Sequence, residues 1–267
     1  MKNLARMYEI VCIPDCHVEP GKSFERFYWL SQFLGKRRPD MIIDMGDFCS
    51  FNSLSHWDRD KKLKMEGRRY SRDCEAAQAA YAEMFHDINL IKDKQRHNKV
   101  KQYNPRRVKL IGNHEEWALR YLETHPEMEG FIDLDENLSL SHHFDTIVPY
   151  RDRFTVGGVT FCHAPMAQNN QPMSGKYVAH RAWDRHSKGI VFAHTHRLQV
   201  ACDKRIDITE PSTSATIGCY IDPADPPEYT VGSESGWWYG IVVVKIYNYG
   251  QFDIEPISME RLKNNLY

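Results

Sequence analysis

The chain has 267 residues, 42% of them hydrophobic, 27% charged and 12% aromatic, ordinary globular values that exclude a disordered, collagenous or coiled-coil protein. A chain of this length buries enough surface to be stable without disulfide staples. Lys plus Arg number 35 against 36 Asp plus Glu, so the net charge of -1 supplies no global field for DNA or an anionic membrane, and any nucleic-acid contact must be local.

The predicted elements alternate between strands and helices through the first two-thirds of the chain, the mark of a layered α/β sheet. Tyr8 to Ile13 reads as the first strand. Ser23 to Arg37 reads as a helix with Phe24, Phe27, Leu30 and Leu34 on one face, Ser23 as its N-cap and Pro39 as its stop. Met41 to Met45 is a second strand, Arg69 to Lys94 one long amphipathic helix, and Arg107 to Ile111 a third strand. Helical turns follow at Glu115 to Thr124 and Asp133 to Ser141. After Pro149 come Phe154 to Val156 and Val159 to Cys162, joined by a Gly157-Gly158 hairpin turn. A helix from Tyr177 to His186 leads to a strand from Gly189 to Ala193, and Leu198 to Cys202, Ala215 to Cys219, Gly240 to Tyr247 and Phe252 to Ile257 complete a strand-rich end. No linker divides the chain, which predicts one domain over 1–267, with a substrate loop at 51–72 and a lid loop at 205–236.

The longest apolar run, Trp237 to Ile246, falls short of the ~20 residues of a membrane helix. Met1 to Val11 lacks the features of a signal peptide. A cytoplasmic protein with no membrane partner is expected. Seven cysteines without a Cys-x-x-Cys pair suit a reducing compartment and read as packing thiols.

Thirteen histidines stand out, and several sit where strands end. Asp15 and His17 follow the first strand, Asp47 the second, and Asn113 and His114 the third; His163 ends Val159 to Cys162, and His194 and His196 end Gly189 to Ala193. Ligands bind at the carboxyl ends of strands in α/β sheets, so these side chains are placed to converge. An isolated His at a strand end is usually structural and a Gly-Asp pair usually a turn. Their joint occurrence in this order is what points to a site. Carboxylate, imidazole and amide ligands together suit Mn, Fe or Zn, and the set is large enough for two ions.

Asp15-Cys16-His17, Gly46-Asp47, Gly112-Asn113-His114-Glu115, His163 and Ala193-His194-Thr195-His196 together resemble the motifs of the calcineurin-like metallophosphoesterases. Their spacing, with the texture of the last third, also resembles a branch of that superfamily frequent in phages and mobile elements. The resemblance implies a four-layer α/β/β/α sandwich of two mixed sheets with outer helices. It implies that Asp15, His17, Asp47 and His196 hold one ion, with Asp47 bridging to a second held by Asn113, His163 and His194. The two divalent ions are expected to be Mn, with Fe, Zn or Ni as alternatives. Two such ions roughly 3.5 to 4 Å apart clamp a phosphate and create hydroxide for in-line attack. His114 is then the general acid that protonates the leaving oxygen.

Two departures bear on the substrate. Ala193 stands where many relatives carry Gly, a small change that fits. Ser50 and Phe51 stand where protein phosphatases of the superfamily carry an Asp that orients the acid His and an Arg that grips phosphate. A phosphodiester in a nucleotide or nucleic acid is therefore the expected substrate. A phosphomonoesterase, serine/threonine protein phosphatases included, and a catalytically silent metal-binding scaffold are the alternatives. The sequence leaves oligomeric state open.

Asn52, His56 and Arg59 follow Asp47 in a segment that should overhang the centre, and Arg197 directly follows His196; these four are the candidate substrate contacts. Arg59 to Arg72 is rich in Lys and Arg beside Trp57 and Tyr70, which reads either as a solvated helix approach or as a track for a phosphate backbone. His142 and His143 read as a surface pair. Trp237 and Trp238 read as anchors of the preceding loop or as a stacking surface.

Overall fold

The structure is a computed structural model that describes residues 7–186, 188–204, 211–227, 235–248 and 250–267. Its strands are β1 (Tyr8–Ile13), β2 (Met41–Asp44), β3 (Arg106–Leu110), β4 (Thr146–Val148), β5 (Phe154–Val156), β6 (Val159–Cys162), β7 (Ile190–Phe192), β8 (Leu198–Asp203), β9 (Ser212–Ile217), β10 (Gly240–Asn248) and β11 (Gln251–Ser258). Its α-helices are α1 (Glu25–Arg37), α2 (Lys62–Met65), α3 (Tyr70–Met84), α4 (His86–His97), α5 (Glu116–Thr124), α6 (Leu134–Leu138), α7 (Leu140–His143), α8 (Val178–Arg185) and α9 (Met259–Lys263). Short 3-10 turns occupy Asn52–Leu54 and Pro126–Met128.

The strands form two mixed sheets, ordered β11-β10-β1-β2-β3-β4 and β5-β6-β7-β9-β8. In the first, β1 to β4 are parallel neighbours and β10 runs antiparallel to β1; in the second, β6, β7 and β9 are parallel. Period-two alternation along the buried strands makes the layers. Ile10 and Cys12 of β1, with Val242, Val244 and Ile246 of β10, pack against Phe161, Val191, Ala215 and Ile217 of the second sheet. Val11, Ile13, Ile241 and Val243 point the other way, against Phe27, Leu30 and Leu34 of α1, Ala77 and Tyr81 of α3 and Leu262 of α9. On the outer face of the second sheet, Cys162, Ile190 and Phe192 meet Val178 and Ala182 of α8. Helix, sheet, sheet and helix follow in that order, as the motifs implied.

Several boundaries differ from expectation. The helix expected over 69–94 is two, because Phe85, with φ -98° and ψ 3°, leaves helical geometry and seats its ring in the core. The turn lets the Asp87 amide donate to Ser31 Oγ at 2.9 Å, tying α4 to α1. The residue flanking α1 is Phe24, one later than expected, and Ser23 Oγ still accepts from the first helical amide, that of Glu25, at 3.2 Å. The α1 C-terminus closes on Arg38 in the left-handed region, its amide donating to the Leu34 carbonyl. Of the lid loop expected at 205–236, residues 205–210 and 228–234 lie outside the described residues. All seven cysteines are free thiols, six of them buried. No described helix is long and apolar enough to cross a membrane.

Candidate metal centre

Strand ends from both sheets meet. The loops after β1 and β2 are zipped together, the Cys16 and His17 amides donating to the Asp47 carbonyl at 3.0 Å and the Val18 amide to Phe48 at 2.7 Å. Across the sheets, the His194 amide donates to Asp15 Oδ1 at 3.1 Å. Gly46, at φ 101°, lies where the sheets touch; a Cβ there would sit 2.6 Å from His163 Nδ1. His17, Asp47, His194 and His196 all have positive φ, between 46° and 67°. Such conformations cost non-glycine residues on the order of 1 kcal/mol each and persist where surrounding bonds over-determine them.

The side chains fall into three overlapping groups whose ligand atoms lie within 4.8 Å of one another: Asp15, His17 and His196; His17, Asp47 and His114; and Asp47, His163 and His194. Asp47 Oδ1 accepts from the His114 amide at 2.8 Å, which leaves Oδ2 facing His163 Nε2 at 3.4 Å and His17 Nε2 at 4.0 Å. Asp15 repeats the pattern: Oδ1 is taken by the His194 amide, and Oδ2 lies 2.8 Å from His196 Nε2 yet is buried without a hydrogen bond of acceptable geometry. His163 Nδ1 donates to the Met45 carbonyl at 2.9 Å and so directs Nε2 inward, 3.0 Å from Asn113 Oδ1. An orphaned carboxylate oxygen, inward imidazole nitrogens and an amide oxygen fit a divalent cation.

Electrostatics agree with the geometry. Burial works against both charged carboxyls, yet His163 and His114 hold Asp47 well below the usual range, and His196 and His163 lower Asp15. Burial also opposes a charged His163, but Asp47 and Asp15 lift it to about 9. The two carboxylates thus draw one proton onto an imidazole that a metal ion would displace. Burial and the neighbouring cationic imidazole push His194 down to about 4, and burial with His114 depresses His17.

Beneath these residues lies a charge network that sequence reasoning missed. Glu115 is fully buried; Oε2 accepts from the Asp47 and Gly112 amides, each at 2.9 Å, and Oε1 from the Phe48 amide at 2.8 Å. Lys109 Nζ bridges Glu115 Oε1 at 2.9 Å and Asp44 Oδ2 at 3.0 Å, and Tyr81 donates to the same Asp44 oxygen. Burial disfavours the Lys109 and Asp44 charges, but the two carboxylates raise the Lys109 pKa, while burial outweighs Lys109 and raises that of Asp44. Part of the signal was present: Asp44 ends an otherwise apolar strand, and Lys109 lies between Val108 and Leu110.

His114 Nδ1 donates to the Ser50 carbonyl at 2.8 Å, and its ring lies 4.1 Å from that of Trp117. Ser50 Oγ is 3.3 Å from His17 Nδ1. The Ser50 carbonyl thus fixes the orientation of the His114 ring. Among the proposed substrate contacts, Asn52 is half-buried and donates to Glu19 at 2.7 Å, while His56 and Arg59 are exposed, His56 beside Trp57 and Arg59 3.7 Å from Asp60. Arg197 donates to the Ser235 carbonyl at 3.1 Å, and the Trp237 ring lies edge-on to His196 at 4.2 Å. Trp237 thus borders the centre, while Trp238 packs against the inter-sheet core. His143 is part-buried beside Tyr81 and Phe85, unlike a surface pair.

No family model matches the sequence, and no curated protein does. Among solved structures, wild-type Vps29 complexed with Zn2+ from Entamoeba histolytica is similar at 10% identity, over 94% of this chain and 99% of that one, with a TM-score of 0.36. A second is similar at 8% identity over 95% of this chain and 100% of its own, with a TM-score of 0.40.

Proposed function

We propose that the protein hydrolyses phosphodiesters, in a nucleotide or nucleic acid, at a centre of two divalent metal ions, manganese first and iron, zinc or nickel as alternatives. The observation that carries this reading is Asp47, whose Oδ2 faces imidazoles of two neighbouring ligand groups while Oδ1 is held by a main-chain amide. Asp15, His17 and His196 would hold one ion, Asn113, His163 and His194 the other, and Asp47 both. Bound there, the ions would polarise phosphate oxygens and lower the pKa of a water.

The remaining steps belong to side chains. His114 has Nδ1 committed to the Ser50 carbonyl, so Nε2 is the nitrogen that can pass a proton to the leaving oxygen. Trp117 against the ring limits its rotation. Arg197, Asn52, His56 and Arg59 are the proposed substrate contacts, Arg197 through the N–H groups that Ser235 leaves unused.

The test compares an aryl phosphate diester with its monoester, using metal-stripped protein resupplied with Mn2+ and Asp47→Ala as the blank. Preference for the diester supports the reading. Preference for the monoester moves the substrate class to phosphomonoesters, and no Mn2+-dependent turnover of either makes the protein a metal-binding scaffold.

A further inference from the structure

The segment that leaves the centre after Ser50 carries three of the proposed substrate contacts, Asn52, His56 and Arg59, and most of its charge lies beyond them. Between His56 and Arg72 it carries seven cations and three acids, in a chain whose net charge is -1. Asp58 gives this stretch a fixed shape. Its buried carboxylate takes Lys61 Nζ at 2.7 Å, Lys64 Nζ at 3.0 Å and Arg68 Nη1 at 3.2 Å, and Arg68 reaches back to the Asn52 carbonyl at 3.3 Å. One carboxylate cannot neutralise three cations, so the folded loop keeps a positive excess. Its base is pinned at the rim of the centre: Asn52 donates to Glu19, two residues beyond His17, and the Ser53 amide and hydroxyl both donate to Asp73 Oδ2.

Two large apolar side chains project from this frame into solvent, Trp57 at 77% exposure and Leu63 at 86%. Beside Leu63 an open concavity of ≈ 570 Å³ is lined by Arg59, Lys62, Leu63, Met65 and Glu66, and Trp57 precedes Arg59 by two residues. Lys62 makes no ion pair among the described residues, Arg59 lies 3.7 Å from the exposed Asp60, and Glu66 is the one acid on the lining of the concavity against two cations. An exposed indole among ordered cations offers what unpaired nucleotides need: a flat face for a base and charges for the flanking phosphates.

We propose that the 55–68 loop is a docking platform for single-stranded nucleic acid, with Trp57 stacking on an unpaired base and Arg59 and Lys62 holding adjacent phosphates. A duplex hides its base faces and leaves the indole nothing to stack on. A membrane surface is the poorer fit, because α2 spans Lys62–Met65 only and is too short to lay an apolar stripe into lipid. The proposal rests on the phosphodiesterase reading and supplies its substrate class.

The experiment measures fluorescence anisotropy of a labelled oligothymidylate with phosphorothioate linkages, which resist hydrolysis, on the full-length, metal-loaded protein. Trp57→Ala is expected to weaken binding about tenfold or more, with Trp57→Phe restoring most of it. Lys62→Ala is expected to lower the slope of log K against log salt by about 0.7. A duplex of the same length should bind at least about tenfold more weakly. Unchanged affinity in Trp57→Ala, equal affinity for the duplex, or Trp57-dependent binding to anionic vesicles in place of the oligonucleotide would each overturn the platform. Hydrolysis of the aryl diester by wild-type protein that fails to bind the oligonucleotide overturns the platform and leaves the reading beneath it standing. Trp57-dependent binding without diester hydrolysis does the reverse.

Discussion

The Glu115 carboxylate holds the main chain of Asp47: Oε2 accepts its amide at 2.9 Å, while Oε1 takes the next amide and the ammonium of Lys109. Through that grip a buried acid with no place among the proposed metal ligands sets where the proposed bridging carboxylate, Asp47, stands.

Removing one partner of this network leaves an unpaired buried charge. Lys109→Met is expected to destabilise the fold by about 3–5 kcal/mol, read as a lowered urea midpoint. Glu115→Gln should also weaken metal binding, because an amide nitrogen then faces main-chain donors that need an acceptor. A Lys109→Met protein as stable as wild type would show that the network carries no such strain.

Asp47→Ala is expected to lose bound metal altogether, measured by elemental analysis after gel filtration, because its Oδ2 faces His17 on one side and His163 on the other. Retention of two ions per chain in that variant would remove Asp47 from the bridging position.

His114→Ala should keep its metal and lose turnover by roughly 10²- to 10⁴-fold. Near-normal turnover would take His114 out of the reaction; loss of metal together with turnover would instead make it a ligand, in keeping with its place in the group with His17 and Asp47.

The platform loop carries a pH dependence of its own. Burial opposes the Asp58 charge, but Lys61, Lys64 and Arg68 hold its carboxyl well below the usual range. A depressed folded-state pKa contributes stability in full above the unfolded value near ~3.9, and that contribution is lost as pH falls through the lower folded value. Amide exchange across 56–68, corrected for intrinsic rates, should therefore stay slow at pH 5 and accelerate in strong acid. In Asp58→Asn it should be fast at both. Equal protection of this segment in both proteins at pH 5 would show that Asp58 does not order the loop.

Much of the architecture was legible because burial writes itself into side-chain identity. The hairpin of β5 and β6 falls on the expected residues, since two adjacent glycines between β-branched runs leave little choice. The edge strand β4 did not announce itself, being three residues long between Asp145 and Pro149. The break at Phe85 was hidden because apolar spacing continues through it. At the centre, the strand-end Asp, Asn and His residues converge as their positions implied. The Ser50 carbonyl that orients His114, and the amides that occupy one oxygen each of Asp15 and Asp47, were invisible because main-chain atoms are the same in every residue. The positive φ of His17, Asp47, His194 and His196 was equally hidden, since none is the glycine that usually signals that region.

The bond between Asp15 and the His194 amide spans 179 positions of sequence, and the Tyr220 amide closes on the Asp15 carbonyl from farther still. Contacts so distant along the chain close late in folding. A nascent chain that stops short of residue 194 has the first strand and Asp15 but not the His194 and Tyr220 amides that hold it. Uptake of the proposed ions at the full ligand set would therefore be a clock for folding, registering the moment when the second sheet docks on the first.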